Sequence, residues 1–190
     1  PWEASQLWLG SFNHLGEVVG LQVLAGSSPE SANPKSVFQP IWLQTGELLV
    51  TEDSSGWWNL MMNDLKAESS LGHTWHCLWA MEAETAMGQW AYGISTTAST
   101  GEIIVNASCH KGSWRINLLT LDGSISHFQQ PFDDLAGLHA DQGRVVAIAS
   151  NSTTASGLLE VDLSDRSWRH KPVRAALIEE DQISISEAFW

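Results

Sequence analysis

Three times along this chain a glycine and one charged residue are followed by apolar β-formers. The runs are Gly46-Glu47-Leu48-Leu49-Val50, Gly101-Glu102-Ile103-Ile104-Val105 and Gly143-Arg144-Val145-Val146-Ala147. After each comes a polar, turn-like stretch, and then a second run that opens on Gly56, Gly112 or Gly157. The first three glycines stand 55 and 42 residues apart. A hairpin that recurs every ~40 to 55 residues is the sequence mark of a β-propeller blade.

Extending the pattern outward predicts the other strands. Gln6 to Phe12 and Val18 to Leu24 read as the last two strands of an incomplete blade. Phe38 to Trp42, Glu47 to Thr51, Trp57 to Met62 and His73 to Trp79 form the next. A third takes Gln89 to Ser95, Glu102 to Cys109, Ser113 to Thr120 and Ser124 to Gln129, with Leu121-Asp122-Gly123-Ser124 as the turn before its last strand. The fourth takes Leu135 to Ala140, Arg144 to Ser150, Leu158 to Leu163 and Ser167 to Lys171. Helical periodicity is weak throughout. The expected fold is all-β: a partial β-propeller of four-stranded antiparallel blades, about three full ones plus an incomplete one. The blade portions fall near residues 1–25, 37–79, 89–130 and 135–172, with 183–190 as an exit strand. The chain lacks an initial Met and stops inside a strand-like pattern, so it reads as an excerpt of one propeller domain. Exposed end sheets predict self-association, which a clean monomer in sedimentation at high concentration would contradict.

Composition narrows the partners. The 190 residues carry 9 Lys+Arg against 22 Asp+Glu, a formal net charge of −13. Nucleic acid and anionic membranes are poor partners for such a surface. Eleven Trp accompany one Tyr and five Phe, and packing between stacked sheets is the expected use of those large rings. Two cysteines, Cys77 and Cys109, make no disulfide framework and suit a reduced, cytoplasmic chain.

Motifs that carry chemistry are sparse. No G-x-S-x-G elbow, Walker loop or G-x-G-x-x-G occurs. His73, His76 and Cys77, with Cys109 and His110, match no zinc spacing, so neither metal nor cofactor is expected. Asn106-Ala107-Ser108 and Asn151-Ser152-Thr153 fit the glycosylation acceptor pattern. Glu82 and Glu84, in Met81-Glu82-Ala83-Glu84, lie two apart on a segment read as extended. On such a segment both carboxylates point the same way and can receive a substrate ammonium group. An exposed acidic loop between blades is the plainer reading.

These segments together resemble the prolyl oligopeptidase family of serine peptidases. Phe38-Gln39-Pro40-Ile41-Trp42-Leu43-Gln44-Thr45-Gly46-Glu47-Leu48-Leu49-Val50 is similar to that family's F-Q-P-x-W-S-P-D-G-x-L-Y-F-V, although Leu43-Gln44-Thr45 replaces S-P-D. Glu52 to Leu60 is similar to S-D-R-T-G-W-W-N-L, and Met81-Glu82-Ala83-Glu84 with Gln89-Trp90 to M-E-A-E-F-G-x-P-Q-W. The resemblance is nearest to the bacterial acylaminoacyl-peptidase and dipeptidyl-aminopeptidase branch. It implies a parent in which a propeller caps a C-terminal α/β-hydrolase domain holding Ser, Asp and His. The propeller would gate short peptides, and this portion would hold no catalytic residue. Glu82, Glu84 and Trp90 are then the candidates to face the substrate channel. A stand-alone propeller that binds a protein partner on its loops is the alternative.

Overall fold

The computed structural model describes residues 3–63, 65, 74–88, 93–175 and 178–184. They form four antiparallel sheets. The first pairs β1 (Gln6–Phe12) with β2 (Val18–Gly26). The second runs β3 (Val37–Trp42), β4 (Leu48–Glu52), β5 (Asn59–Asn63) and β6 (His76–Trp79). The third holds β7 (Thr97–Ser99), β8 (Ile103–His110), β9 (Ser113–Thr120) and β10 (Ile125–Phe128), and the fourth β11 (Asp134–Asp141), β12 (Arg144–Ser150), β13 (Gly157–Asp162) and β14 (Ser167–Pro172). In each four-stranded sheet, strands adjacent in sequence are adjacent in space. The fold is all-β, a partial β-propeller built from up-and-down sheets, and the one helical element among the described residues is a 3-10 turn at Glu180–Gln182.

The recurring glycine has a local cause. Gly46, Gly101 and Gly143 have φ of 103°, 93° and 77°, a region open to glycine and costly for side chains that carry a Cβ. Each sits in the turn that feeds the second strand of its sheet. Around Gly46 the turn is closed by Gly46 N–H donating to Leu43 O at 3.0 Å and Leu43 N–H donating to Glu47 O at 2.9 Å.

The chain divides into two compact units, residues 1–94 with 121–123, and residues 95–120 with 124–190. In the first, Ala25, Val37 and Val50 form a small core, with Leu7, Met61 and Trp75 against it. Trp75 Nε1 donates to Leu24 O at 3.1 Å, and Ser5 Oγ both accepts from Val37 N and donates to Val37 O at 2.8 Å. These bonds tie the two-stranded sheet to its four-stranded neighbour.

The second unit packs two sheets face to face. Val105, Ala107, Ile116, Leu118 and Phe128 meet Leu135, Leu138, Val145, Ala147, Leu159 and Val161 in one continuous core. Arg166 Nη2 donates to His127 O at 2.9 Å, its guanidinium lies 5.7 Å from the Phe128 ring centre, and Phe132 sits edge-on to Trp168. A polar row crosses β7 to β10. Asn106 Nδ2 donates to Thr97 Oγ1, Asn117 Nδ2 donates to Ser108 Oγ and to Asn106 Oδ1, and Asn117 Oδ1 faces His127 Nδ1 at 2.8 Å. Because the Asn117 amide nitrogen is a donor to its neighbours, its oxygen accepts from His127, which fixes the proton on Nδ1. Thr97, Asn106, Ser108 and Asn117 are all buried.

Four expectations change. The first strand of the third sheet is Thr97–Ser99, whereas Gln89 to Ser95 was expected; residues 89–92 lie outside the described residues. Ser95 instead bonds to the next sheet, with its Oγ donating to Leu138 O and its carbonyl accepting from Leu138 N. The tryptophans do not fill the core. None among the described residues is fully buried, and Trp8 and Trp42 are 53% and 57% exposed. Aliphatic side chains, which carry no polar atom needing a partner, take the interior instead. Neither glycosylation pattern offers a free amide: Asn106 is buried, and Asn151 Nδ2 donates to Pro131 O at 3.1 Å. Residues 185–190 of the expected exit strand lie outside the described residues, and Ile183 and Ser184 are not in a strand.

Candidate functional site

A cleft of about 490 Å³ opens in the first unit where the β4–β5 turn meets the end of β6. That volume is in the range of small-ligand pockets. Glu52, the last residue of β4, supplies a carboxylate that is only 7% exposed. It shares a strand face with Val50, which alternation along an extended chain requires. Ser54 Oγ donates to it, and Lys35 Nζ lies 3.7 Å away. Cys77 and Met61, register partners across β6 and β5, form another wall. Trp57, Met81 and Glu82 complete the rim.

Asn59 sets the position of that rim. Its Oδ1 accepts from Met81 N at 2.9 Å and its Nδ2 donates to Met81 O at 3.2 Å, so the residue before Glu82 is clamped on both sides. Thr85 N and Thr85 Oγ1 both donate to Trp58 O, at 2.9 and 2.8 Å. Glu84 Oε2 accepts from Trp58 N at 3.0 Å. The segment from Met81 to Thr85 is therefore laced to the Trp57-Trp58-Asn59 stretch by backbone and side chain together.

This arrangement separates the two carboxylates that the sequence placed side by side. The chain bends at Glu82 and Ala83, so the alternation of a straight strand does not apply. Glu82 is exposed on the cleft, while Glu84 is half-buried and bonded to backbone. Trp90 lies outside the described residues. Sequence reasoning did not single out Glu52, Asn59 or Cys77 for the cleft. Asn59 sat inside the Gly56-Trp57-Trp58-Asn59-Leu60 motif, which was the available signal.

The cleft carries two carboxylates, Glu52 with Lys35 beside it and Glu82 on the rim, and its thiol is not activated. Desolvation pushes the Cys77 thiol above its ordinary value, the Glu52 charge adds to the shift, and a backbone hydrogen bond at Trp79 opposes it. A thiol held protonated is a weak nucleophile. The chemistry on offer is recognition: the exposed Glu82 carboxylate and the Trp57 ring suit a cation, and Met61 and Met81 accept an apolar group beside it. Among the described residues no three His, Cys, Asp or Glu side chains converge as metal ligands, and no helix is long and apolar enough to cross a membrane.

No family model matches the chain, and no curated protein matches it. Solved structures do. A puromycin-hydrolysing peptidase of Mycobacterium tuberculosis superposes with a TM-score of 0.77 at 22% identity, covering 89% of this chain and 24% of its own. A puromycin hydrolase reaches a TM-score of 0.81 at 24% identity, covering 94% of this chain and 26% of its own. Prolyl oligopeptidase B from Galerina marginata follows at 0.68 and 11% identity, with 94% of this chain and 24% of that one covered. The chain thus spans about a quarter of the length of the structures it matches. Across nearly all of its own length, this chain has the fold of one portion of the puromycin-hydrolysing and prolyl oligopeptidase structures, the group its motifs resemble.

Proposed function

We propose that this chain is part of the β-propeller of a serine peptidase, and that it gates short peptides toward an α/β-hydrolase domain of the same protein while being inactive alone. The fold likeness to puromycin hydrolase over 94% of the chain carries the reading. The motifs around Gly46, Trp57-Trp58-Asn59 and Glu82 support it independently, because they belong to the amino-acid sequence itself. Within it, Glu82 takes the ammonium group of a peptide in the cleft, and Glu84 acts by holding the Trp58 backbone against the rim. Trp90 remains a proposed channel residue. Two free cysteines support a reducing, cytoplasmic setting.

Charge reversal of Glu82 in the full-length protein tests this. E82K is expected to raise KM about tenfold for peptides with a free N-terminus, equal to ~1.4 kcal/mol, and to spare peptides with a blocked one. Unchanged kinetics on both classes would remove the assignment.

A further inference from the structure

Asn59 opens β5 and lies opposite Glu52, the last residue of β4. It is only 3% exposed. Its carboxamide oxygen accepts from Met81 N at 2.9 Å. Its amide nitrogen donates to Met81 O and Trp57 O, both at 3.2 Å, and to Ser55 Oγ at 3.1 Å. Two N–H groups thus serve three acceptors, and no donor of this side chain is left for a ligand.

These bonds reach both walls of the cleft. Ser55 and Trp57 belong to the β4–β5 turn, and Met81 follows β6, 22 residues beyond Asn59. Further along, Glu84 and Thr85 bond to Trp58. Only Glu82 and Ala83 lie between the two anchors, and Ala83 is buried. The backbone beneath the Glu82 carboxylate therefore has little freedom. One buried carboxamide fixes where it stands relative to the Trp57 turn.

Spacing of this kind decides what a cleft accepts. A cation that must meet a carboxylate and an aromatic ring together tolerates little misplacement of either. We infer that Asn59 is a positioning residue for recognition: by holding the Met81–Glu82 backbone against the Trp57 turn, it sets the preference of the cleft for peptides with a free N-terminal ammonium over peptides with a blocked one. Asn59 acts through its neighbours and touches neither the peptide nor the reacting atoms. When the clamp is lost, the rim drifts and the preference falls, although Glu82 and Trp57 are themselves unaltered. The inference rests on the peptide-gating reading above, with Glu82 as the ammonium acceptor.

The test uses the full-length protein and matched short peptides with free and acetylated N-termini. In N59A the ratio of kcat/KM for free over acetylated peptides is expected to fall about fivefold, through KM, with kcat within twofold. That is about half the effect of E82K, because the carboxylate is displaced and not reversed. N59S, whose hydroxyl can serve one of the Met81 bonds, is expected to fall between N59A and the unaltered protein, and it carries the comparison if N59A does not fold. In an E82A background N59A is expected to change the ratio no further, since the residue acts through Glu82. An unchanged ratio overturns the inference, whether both peptide classes keep their kinetics or lose equally, as they would if Asn59 were only structural. A fivefold fall that persists without Glu82 overturns it too. If E82K lowers the ratio and N59A does not, only the positioning role is lost. If neither lowers it, the assignment of Glu82 is lost as well.

Discussion

The distinction between Glu82 and Glu84 is the sharpest consequence of the structure, because two neighbouring carboxylates are assigned different work. Glu84→Ala removes a charged acceptor from Trp58 N–H, bonded at 3.0 Å in a partly buried setting. Hydrogen bonds to charged groups contribute about 1.5–3 kcal/mol, and partial access of water to the orphaned N–H lowers the cost toward about 2 kcal/mol. For a chain of this size that is a fall of about 4–8 °C in thermal midpoint. Glu84→Gln keeps an acceptor and loses only the charge assistance, so its cost is about half as large. Glu82→Ala alters an exposed side chain and stays within about 0.5 kcal/mol. Urea unfolding followed by tryptophan fluorescence reads the series. If Glu84→Ala destabilises no more than Glu82→Ala, the bond to Trp58 has no structural weight and the separation of roles collapses.

Two further outcomes follow from the interior and the cleft. Asn117→Ala strips partners from Asn106, Ser108 and His127 at once and is expected to cost about 3 kcal/mol. Replacing Asn106 and Asn117 together by Val and Leu should cost less than the sum of the single changes, since the orphaned partners leave as a pair; strict additivity in urea titrations would refute the row as a coupled unit. At Cys77, desolvation and the Glu52 charge both favour the neutral thiol, so its iodoacetamide alkylation should rise only at more alkaline pH than for a free cysteine. Glu52→Gln should move that profile back toward neutrality, and a profile at or below the ordinary thiol range in the unaltered protein would contradict the raised thiol.

Much of the backbone was readable along the chain. Runs of apolar β-formers between turn residues marked β1 to β6 and β8 to β14, and the repeated Gly46, Gly101 and Gly143 marked turns because a positive φ is a local demand that one residue type meets. The first strand of the third sheet was missed because Gln89 to Ser95 carries apolar residues as dense as any strand. What detaches Ser95 is its pair of bonds to Leu138, 43 residues onward. The tryptophan count likewise suggested a core of rings, while the buried positions went to Leu, Ile and Val.

The order of strands and the all-β class were thus decided by the chain itself, since alternation and turn chemistry act between residues a few positions apart. The cleft was decided only by the tertiary structure. Glu52, Asn59, Cys77 and Glu82 come from different strands and turns, and their convergence depends on registers between β4, β5 and β6 together with the clamp of Asn59 on Met81. A single bend at Glu82 and Ala83 sent two like residues to different surroundings, and no local pattern encodes a bend that is imposed by hydrogen bonds to a distant turn.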